Sequence, residues 1–223
     1  MANFLALIPA YNEADHIRGV VEASRLHLPV LVVDDGSTDA TAALAEAAGA
    51  SVLRQAPNQG KGAALRAGFR RAIESGYAAV VTLDADGQHD PTEIPAFLEA
   101  YARRQADLII GERDFSRMPL VRRVANSIGR WSFSWALGQA IRDNQSGYRL
   151  VSRRLMKALL DNAEQGFEFE VEMIVTCLQQ GYSLDWVPIR TIYAGEASHI
   201  RPWSHTVNFF RVVRSTRRRM RNP

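Results

Sequence analysis

The segment Asp84-Ala85-Asp86-Gly87-Gln88-His89-Asp90 gathers three carboxylates and a carboxamide directly after an apolar run, Ala78-Ala79-Val80-Val81-Thr82-Leu83. A buried strand that ends in Asp-x-Asp delivers side-chain oxygens to the carboxyl edge of a sheet, where open α/β folds bind ligands. Two Asp residues separated by one position on an extended chain point the same way. Asp84 and Asp86 in that phase, with Gln88 two positions on, form a donor set suited to Mg2+ or Mn2+. Such ions take oxygen ligands and keep positions for the phosphates of a substrate. The plainer reading is a solvated turn with Asx hydrogen bonds, and on this stretch alone both readings stand. An EF-hand loop does not fit, because Gly87 falls at the fourth position and Pro95 stands where the bidentate Glu belongs.

The elements that must position these residues alternate regularly. Apolar strand runs are predicted at Phe4–Ile8, Val30–Val33, Ser51–Arg54, Ala78–Leu83 and Asp107–Gly111. Between them, helices are expected over 14–27, from an N-cap at Ser37 to Ala48 with Gly49 as C-cap, from Gly60 to about Gly76, and from Pro91 to about Gln105. Asp90-Pro91-Thr92-Glu93 has the spacing of a capping box with proline at the first helical position. In the first helix Ile17, Val20, Val21 and Ser24 share one face. Five strand–helix alternations at this spacing predict an α/β fold with a mainly parallel sheet flanked by helices. Three strands then end in polar clusters at one edge: Tyr11-Asn12-Glu13, Asp34-Asp35-Gly36-Ser37 and the Asp84 segment. Further on, helices are expected over 152–162 and 171–180 and a strand over 183–190.

Composition narrows the classes. The 223 residues are 47% hydrophobic, enough for one core. Cys177 stands alone, so no internal disulfide forms and a reducing, cytoplasmic compartment is expected. No apolar run approaches the roughly 18 residues of a membrane span, and the start Met1–Pro9 reads as a strand rather than a leader. The net charge of +3 hides an asymmetry: seven arginines and no acid lie from Ala197 to Pro223, which leaves the first 196 residues at net −4. No nucleic-acid motif is present, and an anionic membrane surface suits such a tail. Gly60-Lys61-Gly62 lacks the Walker spacing, and no G-x-G-x-x-G follows the first strand.

Taken together, Ile8-Pro9-Ala10-Tyr11-Asn12-Glu13, Val33-Asp34-Asp35-Gly36-Ser37-Thr38-Asp39, Asn58-x-Gly60-Lys61-Gly62 and Asp84 through Pro91 resemble the family 2 glycosyltransferases of GT-A fold. Gly111-Glu112-Arg113, Gln145 through Arg149 and Phe167 through Glu170 are similar to the dolichyl- and polyprenyl-phosphate hexose synthases within it. The resemblance implies a Rossmann-like GT-A domain over 1–205, followed by a basic amphipathic helical tail over 206–223. It implies an inverting, metal-dependent transfer of a hexose from a UDP- or GDP-sugar to a polyprenyl phosphate. Pro9, Tyr11, Glu13, Asp34, Asp35, Lys61, Asp84, Ala85 and Asp86 would bind the nucleotide, and Asp84, Asp86 and Gln88 the Mg2+ or Mn2+.

A lipid-phosphate acceptor is already an anion, so cations matter more than a base. Arg113, Arg130 and Arg149, with Ser146, are the candidate acceptor-phosphate ligands, and Asp86, Arg113, Arg149 and Glu168 the candidate catalytic set; Glu168 and Glu170 are the carboxylates available if a base is needed. A saccharide hydroxyl as acceptor, or a non-catalytic nucleotide-sugar or membrane-binding module, are the other readings. Apolar and aromatic residues interleaved with arginine over 118–141 suit either packing or a headgroup interface. The chain is expected to sit peripherally on the cytoplasmic face of a membrane, by its tail or through a separate membrane protein. Ser198–Pro202 is expected as a loop over the nucleotide.

Overall fold

The computed structural model describes residues 3–114, 131–160, 168–190 and 217. Arg130, Phe167, the loop at 198–202, the 205/206 boundary and all of the tail but Arg217 lie outside them. The strands are β1 (Phe4–Ala10), β2 (Val30–Asp35), β3 (Ser51–Gln55), β4 (Ala79–Thr82), β5 (Leu108–Arg113), β6 (Arg149–Ser152) and β7 (Leu184–Ile189). The helices are α1 (Ile17–Arg25), α2 (Thr41–Ala47), α3 (Lys61–Glu74), α4 (Ile94–Arg104), a helical stretch over 131–137 (α5), α6 (Arg153–Leu159) and α7 (Glu168–Gln179).

One sheet runs in the order β3-β2-β1-β4-β6-β5-β7. Its strands are apolar on both faces because helices cover both. Side chains alternate across the sheet, so Ala6 and Ile8 of β1 join Val30, Val32 and Val81 beneath α1 and α4, with Val20, Val21 and Phe97. Leu5 and Leu7 join Leu31, Val33 and Val80 on the other face, beneath α3, α6 and α7, with Phe69, Leu155 and Met173. The four positions of α1 selected by periodicity are the four buried ones.

β6 departs from the expected pattern. It pairs antiparallel with β4 on one side and β5 on the other, a reversed strand inside an otherwise parallel sheet. Its four residues, Arg149 through Ser152, are all buried, and so short a run beginning with arginine carries no alternation to read. Helix starts also shift. α2 begins at Thr41, with Ala40 rather than Ser37 at the N-cap and an Asx turn just before it: Asp39 Oδ1 accepts from the Thr41 amide at 2.9 Å and hydroxyl at 2.5 Å. Asp90 caps, but the reciprocal capping box does not form. Asp90 Oδ1 accepts from Thr92 N at 3.0 Å, but Glu93 Oε1 takes Arg190 Nε at 2.9 Å instead.

Asp107 fastens the reversed strand at its far end. Its buried carboxylate accepts from Ser152 Oγ (3.0 Å), Ser183 N (3.1 Å) and Oγ (3.2 Å), and Arg154 Nη2 (3.1 Å), which joins the ends of β5, β6 and β7. Leaving buried donors without acceptors costs about 1–3 kcal/mol each. Asp107→Ala is therefore expected to lower unfolding free energy by about 3 kcal/mol. Urea denaturation monitored by tryptophan fluorescence measures it, and a loss of a few tenths would show the carboxylate to be dispensable.

Candidate active site

Parallel pairing of β1, β2 and β4 brings their carboxyl ends to one edge. The loops there are stitched to each other. Asn12, with φ of +55°, donates its amide to Ser37 Oγ at 2.9 Å and accepts from Thr38 N at 2.8 Å on Oδ1. Glu13 N donates to Thr41 Oγ1 at 2.8 Å. Asp34 Oδ1 accepts from Ser37 N at 3.3 Å. Asp35 accepts from Gln59 N at 3.0 Å and Gly60 N at 2.7 Å, one on each oxygen. Gly36 lies against that loop, where a Cβ would come within 2.9 Å of Asn58 N at a φ of +79°.

This loop ends at Gly60, whose φ of +90° starts α3 and aims Lys61 across the edge. Lys61 Nζ lies 2.5 Å from Asp84 Oδ1 and 2.8 Å from Glu170 Oε1. One ammonium thus joins α3, the end of β4 and α7. Gly147 closes the same carboxylate from another side; a Cβ there would lie 2.8 Å from Asp84 Oδ2 and 3.1 Å from Lys61 Nζ. Burial opposes ionisation of Asp84, but the Lys61 charge outweighs it and holds the carboxyl at about 2. Burial likewise opposes the Lys61 ammonium, and Asp84 and Glu170 together hold it above the ordinary lysine value.

His89 and Asp86 complete the turn. The Asp84 amide donates to His89 Nδ1 at 3.0 Å, so this nitrogen carries no proton; burial, in part opposed by Asp84, keeps the ring below the usual histidine value. The imidazole packs 5.0 Å from Tyr148, which stacks on Phe97 at 4.6 Å. Asp86 Oδ1 accepts from Gln88 N at 2.9 Å across Gly87, which has a φ of +76°. The segment is therefore an Asx turn and a carboxylate cluster at once. Neither Asp lies on an extended strand, because β4 ends at Thr82.

The remaining expected residues distribute as follows. Pro9 is buried in β1, Tyr11 is 47% exposed beside it, and the Ala85 side chain is in the core, which leaves its main chain at the turn. Arg113 makes a two-pronged pair with Asp143, at 2.7 and 3.0 Å. Asp143, which motif reading passed over, also accepts from Gln145 N and Ser146 N at 3.0 and 3.1 Å. The Ser146 hydroxyl is buried without a partner. Glu168 opens α7, and its side chain lies outside the described residues.

Arg149 corrects the expectation of a ligand open to phosphate. It is fully buried and gives Nε to Ser146 O at 2.7 Å, Nη2 to Asn144 O at 3.3 Å and Nη1 to Glu170 O. It binds carbonyls because it points inward from β6; its work is to hold the 144–146 turn and α7 in place. Glu170, weighed as a base, is buried instead with Oε1 on Lys61. Its alternation with Phe169 in Phe-Glu-Phe-Glu gave no sign of a lysine partner more than 100 residues earlier. Among the described residues no group of three His, Cys, Asp or Glu side chains forms a metal cage.

This architecture and its acidic carboxyl edge are those of a GT-A glycosyltransferase. It superposes with a TM-score of 0.73 on glucosyl-3-phosphoglycerate synthase from Mycobacterium tuberculosis solved with Mn2+, uridine diphosphate and phosphoglyceric acid, at 20% identity over 96% of this chain and 77% of that one. The chain belongs to glycosyl transferase family 2, whose sequence profile matches residues 6–160. An undecaprenyl-phosphate mannosyltransferase from Micrococcus luteus is 36% identical over 83% of this chain and 82% of its own length. A polyprenol monophosphomannose synthase from Mycolicibacterium smegmatis is 32% identical over 83% and 76%.

The depressed Asp84 value fixes a sign. A carboxyl whose folded value lies below its unfolded one stabilises the fold fully above roughly pH 4, and that contribution is lost as pH falls toward 2. Asp84→Asn is therefore expected to be less stable than wild type at neutral pH, with the two curves converging near about pH 2. Urea midpoints across that range measure this, and parallel curves would show that the Lys61 pair contributes nothing.

Proposed function

We propose that the chain transfers a hexose from a nucleotide sugar to a polyprenyl phosphate, with inversion at the anomeric carbon and dependence on Mg2+ or Mn2+. The observation that carries this reading is the similarity, across about four fifths of the chain, to enzymes named for mannosyl transfer to undecaprenyl phosphate and polyprenol.

The residues fit a metal held jointly with substrate. Asp86 and Asp84 supply hard oxygens at one turn, and Mg2+ or Mn2+ sites of this kind use one or two carboxylates and complete the shell with phosphate oxygens and water. Bound there, the ion neutralises the diphosphate and makes it a better leaving group. Gln88, whose amide steadies Asp86, stands beside this pair. Pro9, Tyr11, Glu13, Asp34 and Asp35 border the nucleoside, on the loops stitched by Asn12 and Ser37. Lys61 lies at the anionic edge.

On the acceptor side, a phosphate oxygen bonds to the anomeric carbon as the bond to the diphosphate oxygen breaks, and the electron pair leaves with the diphosphate. Arg113 and Ser146, joined through Asp143, orient that phosphate, and Arg149 positions their turn. A hydroxyl acceptor would need a carboxylate to take its proton. Asp84, Glu170 and Asp143 each accept from a cation instead, which favours an acceptor that arrives ionised.

Transfer of radiolabel from UDP- and GDP-hexoses to short polyprenyl phosphate tests the reading. A chloroform-extractable product is expected, abolished by EDTA and reduced at least about 100-fold in Asp86→Ala. Donor turnover without lipid product would move the assignment to a hydroxyl acceptor.

Contact with an anionic membrane, on its cytoplasmic face, follows from the acceptor. Trp131 and Trp135, one turn apart on α5, are 72% and 53% exposed, and the Arg217 guanidinium lies 3.7 Å over the Trp135 ring. Indole beside arginine suits a headgroup layer, whether the chain docks alone or beside a membrane protein. Changing both tryptophans to Ser is expected to weaken binding to anionic vesicles at least about fivefold while donor binding is kept. Vesicle co-sedimentation measures it, and unchanged binding would remove α5 from the interface.

A further inference from the structure

Lys61 holds a place that a metal would also seek. Its ammonium is 2.5 Å from Asp84 Oδ1, and one carboxylate oxygen cannot serve an ammonium and a dication at that range without the two cations repelling each other. Asp84 has little freedom to turn away. Gly147 closes it on one side, and the Asp84 amide is fixed on His89 Nδ1. Lys61 does have a second seat, since Glu170 Oε1 lies 2.8 Å from the same nitrogen. Glu170 is itself buried, and its main-chain carbonyl is held by Arg149.

Charge balance points the same way. Asp84, Asp86, Glu170, Lys61 and Arg149 together carry one net negative charge, and His89 is neutral in its observed hydrogen bond. A dication alone would turn this half-buried group net positive. A dication that brings the two negative charges of a sugar diphosphate would leave the balance unchanged.

We propose that Lys61 competes with the divalent metal for Asp84, so that metal and diphosphate load together, with Glu170 as the seat that keeps Lys61 beside the site when Asp84 is taken. This rests on the metal-dependent reading above. Lys61 is then a loading gate as well as a ligand of the anionic edge, and Glu170 is a positioning residue rather than a base. Because binding linkage is reciprocal, the nucleotide tightens the metal by the factor by which the metal tightens the nucleotide.

Mn2+ titration of the purified full chain, read by the loss of the free-ion electron paramagnetic resonance signal, tests this with and without UDP or GDP. Wild type is expected to bind Mn2+ at least about tenfold more tightly with nucleotide present. Lys61→Met is expected to bind Mn2+ alone about tenfold more tightly than wild type does, and to lose most of the nucleotide's effect. That variant leaves Asp84 and Glu170 facing each other, so Lys61→Met with Glu170→Gln, which keeps the charge sum, guards against failure to fold; circular dichroism and the melting temperature check both. Nucleotide-free Mn2+ affinity in the folded variants equal to wild type would overturn the competition while leaving the metal site in place. No Mn2+ binding by wild type with either nucleotide would overturn the metal reading, and this inference with it.

Discussion

One ammonium between two carboxylates sets the geometry of the whole edge. Lys61, Asp84 and Glu170 come from the start of α3, the end of β4 and the first turn of α7, and the ammonium ties the polar ends of three elements whose apolar faces already share a core. Taking such charges out of water costs several kcal/mol per ion, which mutual attraction repays only with close geometry. Apolar residues of the same volume would hold three elements together at least as well. A half-buried cluster at the carboxyl edge is thus better understood, on the proposed function, as charge kept ready for a charged substrate than as a fastening. The supporting contacts agree with that. Asp35 fixes the Gly60 amide that launches Lys61, and Arg149 fixes the Glu170 carbonyl, so both ends of the bridge are held by groups that never meet solvent.

The reversed strand β6 makes this arrangement possible. An unbroken parallel sheet would put a crossover helix next to β4. With β6 inserted antiparallel, the turn at 143–148 arrives at the carboxyl edge instead, and Gly147 abuts Asp84. Thr82 Oγ1 donates to the Gly147 carbonyl at 2.7 Å, a direct tie between the acidic strand and the turn that carries Ser146. Arg113, at the end of β5 on the other flank of β6, reaches the same turn through Asp143. The residues proposed for the donor and those proposed for the acceptor therefore share one short strand as their common support.

Much of this was legible in the chain. Alternation of apolar runs with amphipathic helices located six of the seven strands, and the side-chain period assigned α1 its buried face. The motifs located the edge residues, because Asp, Asn, Gly and Ser after an apolar run mark the turn that ends a strand. Long-range pairing was not legible. Arg149 read as a phosphate ligand and Glu170 as an available base because charged residues are seldom buried, and only the fold shows that carbonyls and a lysine receive them. Ser37 does not cap α2; its hydroxyl accepts instead from the amide of Asn12, on another loop, and the helix starts four residues later. Local rules gave way wherever a partner came from more than about 20 residues away.

The same commitment of side chains limits what chemistry the site can perform. A carboxylate that receives an ammonium or guanidinium is held ionised, as the low value of Asp84 shows, and an acid that weak as a base gains little by taking a proton from a neutral hydroxyl. The turn at 143–146, by contrast, holds a buried serine hydroxyl with no hydrogen-bond partner among the described residues, and its Asp143 aligns Arg113 in a two-pronged pair. Two-pronged arginine geometry matches phosphate as well as carboxylate. With Asp84, Glu170 and Asp143 each engaged by a cation, the proposed reaction draws on orientation of anions and dispersal of leaving-group charge rather than on these three carboxylates as bases. On the proposed reading an ionised acceptor suits this arrangement, because it needs no proton taken by carboxylates that already receive cations.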